Sequence, residues 1–129
     1  MSLQEISVTL DDFMNDNYST PANINYSSAV FNSEGKSTWI AVGYNPIESE
    51  MGAFNGTAQG VEIINGLYTV RCYGKYKITS LGVADEVKNI LIGAELDFRV
   101  SVGSPSITPP IDLTDGLWET TLNFKVIQF

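Results

Sequence analysis

The chain has 129 residues, with 15 Asp and Glu against 7 Lys and Arg, no histidine and a formal net charge of -8. The length fits one domain, and a 43% hydrophobic share is enough to build its core. The acidic balance excludes a binder of phosphate backbones or anionic bilayers that works through clustered basic residues, and the lack of histidine removes Ser-His-Asp and Cys-His catalysis.

Residues 2–16 are expected to form an amphipathic helix, because Leu3, Ile6, Leu10, Phe13 and Met14 recur at helical spacing. Ser2 and Glu5 fit a capping box at its start. Asp11, Asp12, Asn15 and Asp16 fall mostly on the wet side, where acids near the C-terminus oppose the helix dipole. Residues 23–31 read as a short strand and Asn32 to Lys36 as a turn around Gly35. Thr38 to Tyr44 is strongly apolar, the pattern of a strand buried on both faces. Residues 45–60 show no clean period and mix turn formers, acids and large apolar side chains. They are expected to form a long loop or extended arm.

Asn65-Gly66 is a two-residue hairpin signal between strands at 61–64 and 67–76, with the tail of the preceding loop as the alternative for 61–64. In the second strand Tyr68, Val70, Cys72 and Tyr76 share one face. Ser80 is expected to cap a helix over 81–92, with Val83, Ala84, Val87, Ile90 and Leu91 as its apolar stripe and Gly93 at the left-handed position after it. Residues 95–102 alternate apolar and polar, whereas Gly103 to Pro110 is expected to break the ladder. Asp115-Gly116 signals a turn before a last strand over 117–129, with Trp118, Leu122, Phe124 and Val126 on one face. This order predicts one α+β domain over 1–129, a mostly antiparallel β-sheet with two α-helices packed on one face, plus a long loop or arm at about 45–60.

The excess charge is uneven: residues 1–66 hold eight acids and one base, Lys36. The pairs Asp11-Asp12 and Glu48-Ser49-Glu50 lack the spacing of a calcium loop, and nothing selects a carboxylate pair for glycoside hydrolysis. They read as solvated surface. Gly52 to Gly56 lacks a phosphate-binding fingerprint, so no cofactor, metal or catalytic residue is expected. A lone Cys72 forms no intramolecular disulfide and is expected to be buried and structural, in a reduced intracellular setting. Met1 to Glu5 lacks signal-peptide character, and no apolar stretch approaches the roughly 20 residues of a membrane span. Trp39 and Trp118 read as core or sheet-face aromatics. Together with Tyr44, Tyr68, Tyr73 and Tyr76, they leave sugar stacking as a sharper alternative. Met51 and Phe54 either fold back on the core or dock on a partner.

Three linked patterns in the second half are informative together. Gly66-Leu67-Tyr68-Thr69-Val70-Arg71-Cys72-Tyr73 is followed by the helical Val83 to Leu91. The alternating Leu96 to Val102 leads into a proline-containing connection. Asp115-Gly116-Leu117-Trp118 opens the alternating segment that runs to Val126. Over roughly residues 60–129 this resembles the tail terminator family of long-tailed bacteriophages, the lambda-type minor tail proteins.

The resemblance implies a non-enzymatic virion protein, assembled in the host cytoplasm. It would form a hexameric ring that caps the tail tube and joins it to the head-tail connector. DNA would pass through the lumen without specific binding, and no membrane is involved. On that reading Ile47, Met51 and Phe54 are candidate assembly contacts, and Glu48, Glu50 and Glu62 are candidate lumen acids that keep DNA from adhering. The alternatives are another neck or tail component, such as a head-closure or tube protein, and a carbohydrate-binding module.

Overall fold

A computed structural model describes residues 2–27, 29–52 and 61–129, with the backbone alone at Met51, Gly52, Val61, Phe98 and Asp115. Helix α1 (Leu3–Asn17) starts where the sequence places it. Ser2 Oγ accepts the Glu5 N–H at 3.1 Å, and Ile6, Leu10 and Met14 line the buried face. A 3-10 turn at Pro21–Asn23 leads into β1 (Ile24–Tyr26), then β2 (Thr38–Gly52) and β3 (Val61–Gly74). Helix α2 (Lys77–Leu91) follows, then β4 (Glu95–Leu96), β5 (Val100–Asp112) and β6 (Trp118–Gln128).

The six strands lie in the order β1-β2-β3-β6-β5-β4. Only the short β1–β2 pair is parallel; the other pairs are antiparallel. Both helices cover one face, so the fold is the expected α+β arrangement. Every second residue of the central strands enters the core: Ile40 and Val42, Val70 and Cys72, Leu122, Phe124 and Val126 are buried. They meet Ile6, Leu10 and Met14 from α1 and Val83, Val87 and Leu91 from α2. Each such side chain contributes about 1.5–3 kcal/mol on leaving water.

Several elements differ from the sequence reading, each for a physical reason. Residues 45–52 are not a loop; they continue β2, paired with β3 as far as Gly52 opposite Val61. They lack a period because their flanks are wet, which leaves no buried face to impose one. Asn65-Gly66 is not a hairpin turn. Gly66 lies inside β3 opposite Pro46 and Val126, and a Cβ there would fall 2.6 Å from the Tyr44 ring. The glycine answers a close approach and not a turn.

Helix α2 begins four residues earlier than expected, at Lys77, and Ser80 lies within it, fully buried. Its hydroxyl donates to the Cys72 carbonyl at 2.8 Å and lies 2.7 Å from Thr120 Oγ1. With its own proton committed to Cys72, Ser80 accepts from Thr120. A serine that reads as a cap is thus a pin between helix and sheet. The start of the helix carries no side-chain cap, and the expected Gly93 does adopt a positive φ of 70°. Tyr76 falls outside β3 and is 70% exposed, so it does not share the Tyr68 face.

Residues 23–31 hold only a three-residue strand. Within Thr38–Tyr44 only Ile40 and Val42 are buried, while Trp39, Ala41 and Gly43 are half-buried, so that stretch has one core face and not two. The stretch 95–102 is interrupted by a 3-10 turn at Asp97–Arg99. The segment Gly103–Pro110 does continue the ladder as part of β5, with register shifts between Val102 and Pro105 and between Thr108 and Ile111. The prolines are tolerated because this stretch of β5 is a sheet edge, where a missing N–H faces outward and bulges absorb the misfit.

Candidate assembly surfaces

The uncovered face of the sheet and its two edges carry the candidate residues. On β2 the bulge between Pro46 and Glu48 leaves Ile47 unpaired and 63% exposed. The bulge also resets the alternation of side chains. Before it, Pro46 lies opposite Gly66, on the helix-covered face. After it, Glu48 lies opposite Asn65 and Glu50 opposite Ile63, on the open face. Asn65 Nδ2 donates to Glu48 Oε1 at 3.4 Å.

Glu62 is opposite Met51 and one step out of phase with Ile63, so it lies on the reverse face from Glu48 and Glu50. The three glutamates therefore belong to two surfaces. Met51 pairs through its backbone at the end of the arm, and Phe54 lies outside the described residues.

The two long edges differ. Among the described residues β1 covers β2 only at Ile40–Val42, so Tyr44–Gly52 has no neighbouring strand on that side. Two glutamates, one proline and a bulge are its only guards. On the far side, β4 covers β5 only at Val100 and Ser101. The rest of that edge carries Pro105, Pro109 and Pro110, which cannot donate to an added strand. The β2 edge is thus the more receptive of the two. Between them, on the open face, Glu48, Glu50, Asn123 and Lys125 line a shallow trough of about 420 Å³.

The opposite end of the open face is aromatic. Trp39 stacks on Tyr73 at 5.3 Å and 21°, and Phe31 lies 6.3 Å from Trp39 with Lys36 over its ring at 5.3 Å. One face of Trp39 is therefore taken by the protein itself. Tyr73 has its hydroxyl pKa pushed up to about 12, by burial first and then by Glu119.

Inside the core, Tyr68 donates to Asp11 Oδ1 at 2.8 Å. Burial holds the Tyr68 hydroxyl well above its usual range, and burial also raises the Asp11 carboxyl despite the hydrogen bond that opposes it. Asp11 is thereby tied to the core and not left on the wet side. Burial moves the Cys72 thiol up to about 12, so it is an inert core group, as its place in the strand suggests. Among the described residues no group of His, Cys, Asp and Glu is placed to hold a metal ion, and no helix is long and apolar enough to cross a membrane.

No protein-family model matches the chain, and no curated protein sequence matches it. Among solved structures, a chain of "Virion of native gene transfer agent (GTA) particle" superposes on it with a TM-score of 0.59 at 12% identity. The match covers 94% of this chain and 92% of that one. At that identity the two share a fold.

The strand character of the receptive edge is hidden in the sequence because Asn45 and Pro46 look like the start of a loop. A signal was present in Ile63-Ile64, apolar residues just before Asn65 that call for a partner strand.

Proposed function

We propose that this chain is a non-enzymatic structural protein of a phage-like virion and, within that class, a tail terminator. It closes the tail tube as a homo-oligomeric ring, joins it to the head-tail connector and leaves a channel for DNA. The observation that carries this reading is the likeness over nearly the whole of both chains to a component of a virion particle. The pattern over residues 66–126 narrows it to the terminator.

Two features favour assembly over chemistry. The Tyr44–Gly52 edge offers unpaired backbone groups to a neighbouring chain, and Ile47 exposes apolar surface beside them. With the open face turned inward, Glu48 and Glu50 line the channel and repel the DNA backbone, while Glu62 looks the other way.

The test is to polymerise the tail tube protein of the parent particle with and without this chain. A terminator caps tubes and holds their length constant. Self-polymerisation of this chain into long tubes identifies it as the tube protein, and tubes that grow unchecked in its presence remove the terminator reading.

A further inference from the structure

A hollow of about 740 Å³ runs between α1 and the β4 edge. That volume lies within the roughly 300–1,000 Å³ range of binding clefts. Glu5, Asp12, Asp16, Glu95 and Asp97 line it, and no lysine or arginine does. Its floor is apolar: Val8, which is 50% exposed, with Phe13 and Leu96. It therefore combines five carboxylates with uncovered apolar surface, and it forms no cluster able to hold a metal ion among the described residues.

The same chain carries the complement. At the start of α2, Lys75-Tyr76-Lys77-Ile78 places two exposed lysines beside two large exposed side chains, Tyr76 at 70% and Ile78 at 79%. Lys36 lines the adjoining hollow with Lys75 and Trp39. Three of the seven cations of the chain thus gather at one end. The N-terminal end of the helix dipole adds to that positive potential. Neither surface can satisfy the other within one molecule. The groove is lined by α1 and the β4 edge, the basic surface by the start of α2 and the Lys36 turn, and the two linings share no residue.

We propose that copies of this chain join by seating the basic, apolar start of α2 of one copy in the acidic groove beside α1 of the next. This rests on the ring reading and assigns the surfaces that build the ring. A contact between two different patches leaves each copy with one free groove and one free α2 end, and rotation of successive copies closes the circle. Desolvating Tyr76 and Ile78 against Val8, Phe13 and Leu96 supplies the apolar part. The lysines facing the carboxylates fix orientation and speed encounter.

Charge reversal tests this directly. Lys75→Glu/Lys77→Glu gives an acidic α2 end, and Asp12→Lys/Glu95→Lys/Asp97→Lys gives a basic groove, three lysines against Glu5 and Asp16; all five positions are exposed, so folding is little affected. Sedimentation at rising protein concentration should show each variant alone associating at least ~100-fold more weakly than the parent chain, because like charges then oppose each other across the contact. Mixing the two variants in equal amounts should restore oligomers, which also proves that both are folded. The parent chain should dissociate between about 0.1 and 1 M salt, as the Debye length falls from about 10 to about 3 Å.

Oligomers that form unchanged in either variant overturn the contact and leave the ring reading standing. Parent oligomers no larger than dimers, lost on reversal and regained on mixing, support the contact and remove the ring. A parent chain that is monomeric at every concentration overturns the contact, and the capping of tail tubes then decides the ring reading.

Discussion

The upper and lower halves of the β2–β3 hairpin share one ladder but not one environment. In the upper half, Thr38–Gly43 pairs with Thr69–Gly74 beneath the helices, and Ile40, Val42, Val70 and Cys72 are buried. In the lower half, every residue from Asn45 to Glu50 is exposed, although the pairing runs on to Gly52. Backbone pairing alone therefore does not mark a segment as core. The upper half stabilises the domain; the lower half presents an edge and an isoleucine to the outside. If that division is right, substitutions above should cost stability and substitutions below should cost assembly.

The largest effect belongs to the core. Phe124, fully buried opposite Tyr68, should lose about 3–5 kcal/mol on Phe124→Ala, read from denaturant unfolding. Next come the paired tyrosines of the hairpin itself, Tyr44 and Tyr68. Tyr68→Phe leaves Asp11 without its donor and should cost about 1–3 kcal/mol. The Tyr44 hydroxyl is buried with no partner, so Tyr44→Phe should be neutral or stabilise by up to about 1 kcal/mol. Equal losses in the two variants would erase the distinction drawn between the two sites.

A smaller effect is expected from Asp11 and depends on pH. Its folded carboxyl titrates above the ordinary 3.8, chiefly through burial. Between that value and the raised one the folded chain holds more protons than the unfolded chain, so this site adds stability as pH falls through the window and opposes folding above it. Asp11→Asn keeps an acceptor for Tyr68 and removes the buried charge. Its melting temperature relative to the parent chain should be most favourable at neutral pH, and the advantage should shrink as pH falls, reaching its minimum by about pH 4, near the unfolded carboxyl value. A difference that stays constant from neutral to acid pH contradicts this.

The smallest stability change, within about 0.5 kcal/mol, is expected at the exposed Ile47 for Ile47→Ser. Oligomer formation should nevertheless weaken measurably, and a variant that assembles normally would remove the lower hairpin from the contact surfaces.

Where the chain packs against something, the sequence was legible. Both helices, the inward residues of β6 and the burial of Cys72 follow from periodicity, because the helix-covered face imposes a period of 2 or 3.6. It was not legible where nothing packs. Residues 45–52 and 103–110 are edge segments whose prolines and wet residues look like loops but whose backbones still pair. Ser80 and Gly66 were assigned to local structure, a cap and a turn, when their partners, Thr120 and Tyr44, are distant in sequence. At the candidate site the exposure of Ile47 could be anticipated. The separation of Glu62 from Glu48 and Glu50 could not, since it depends on one bulge resetting side-chain parity.

The central claim is ring assembly, and electron microscopy of this chain incubated with tail tubes tests it most directly. Closed rings seated on tube ends, with Glu48 and Glu50 toward the channel, are the predicted result. Bare tube ends beside monomers, or open filaments of this chain, would contradict it.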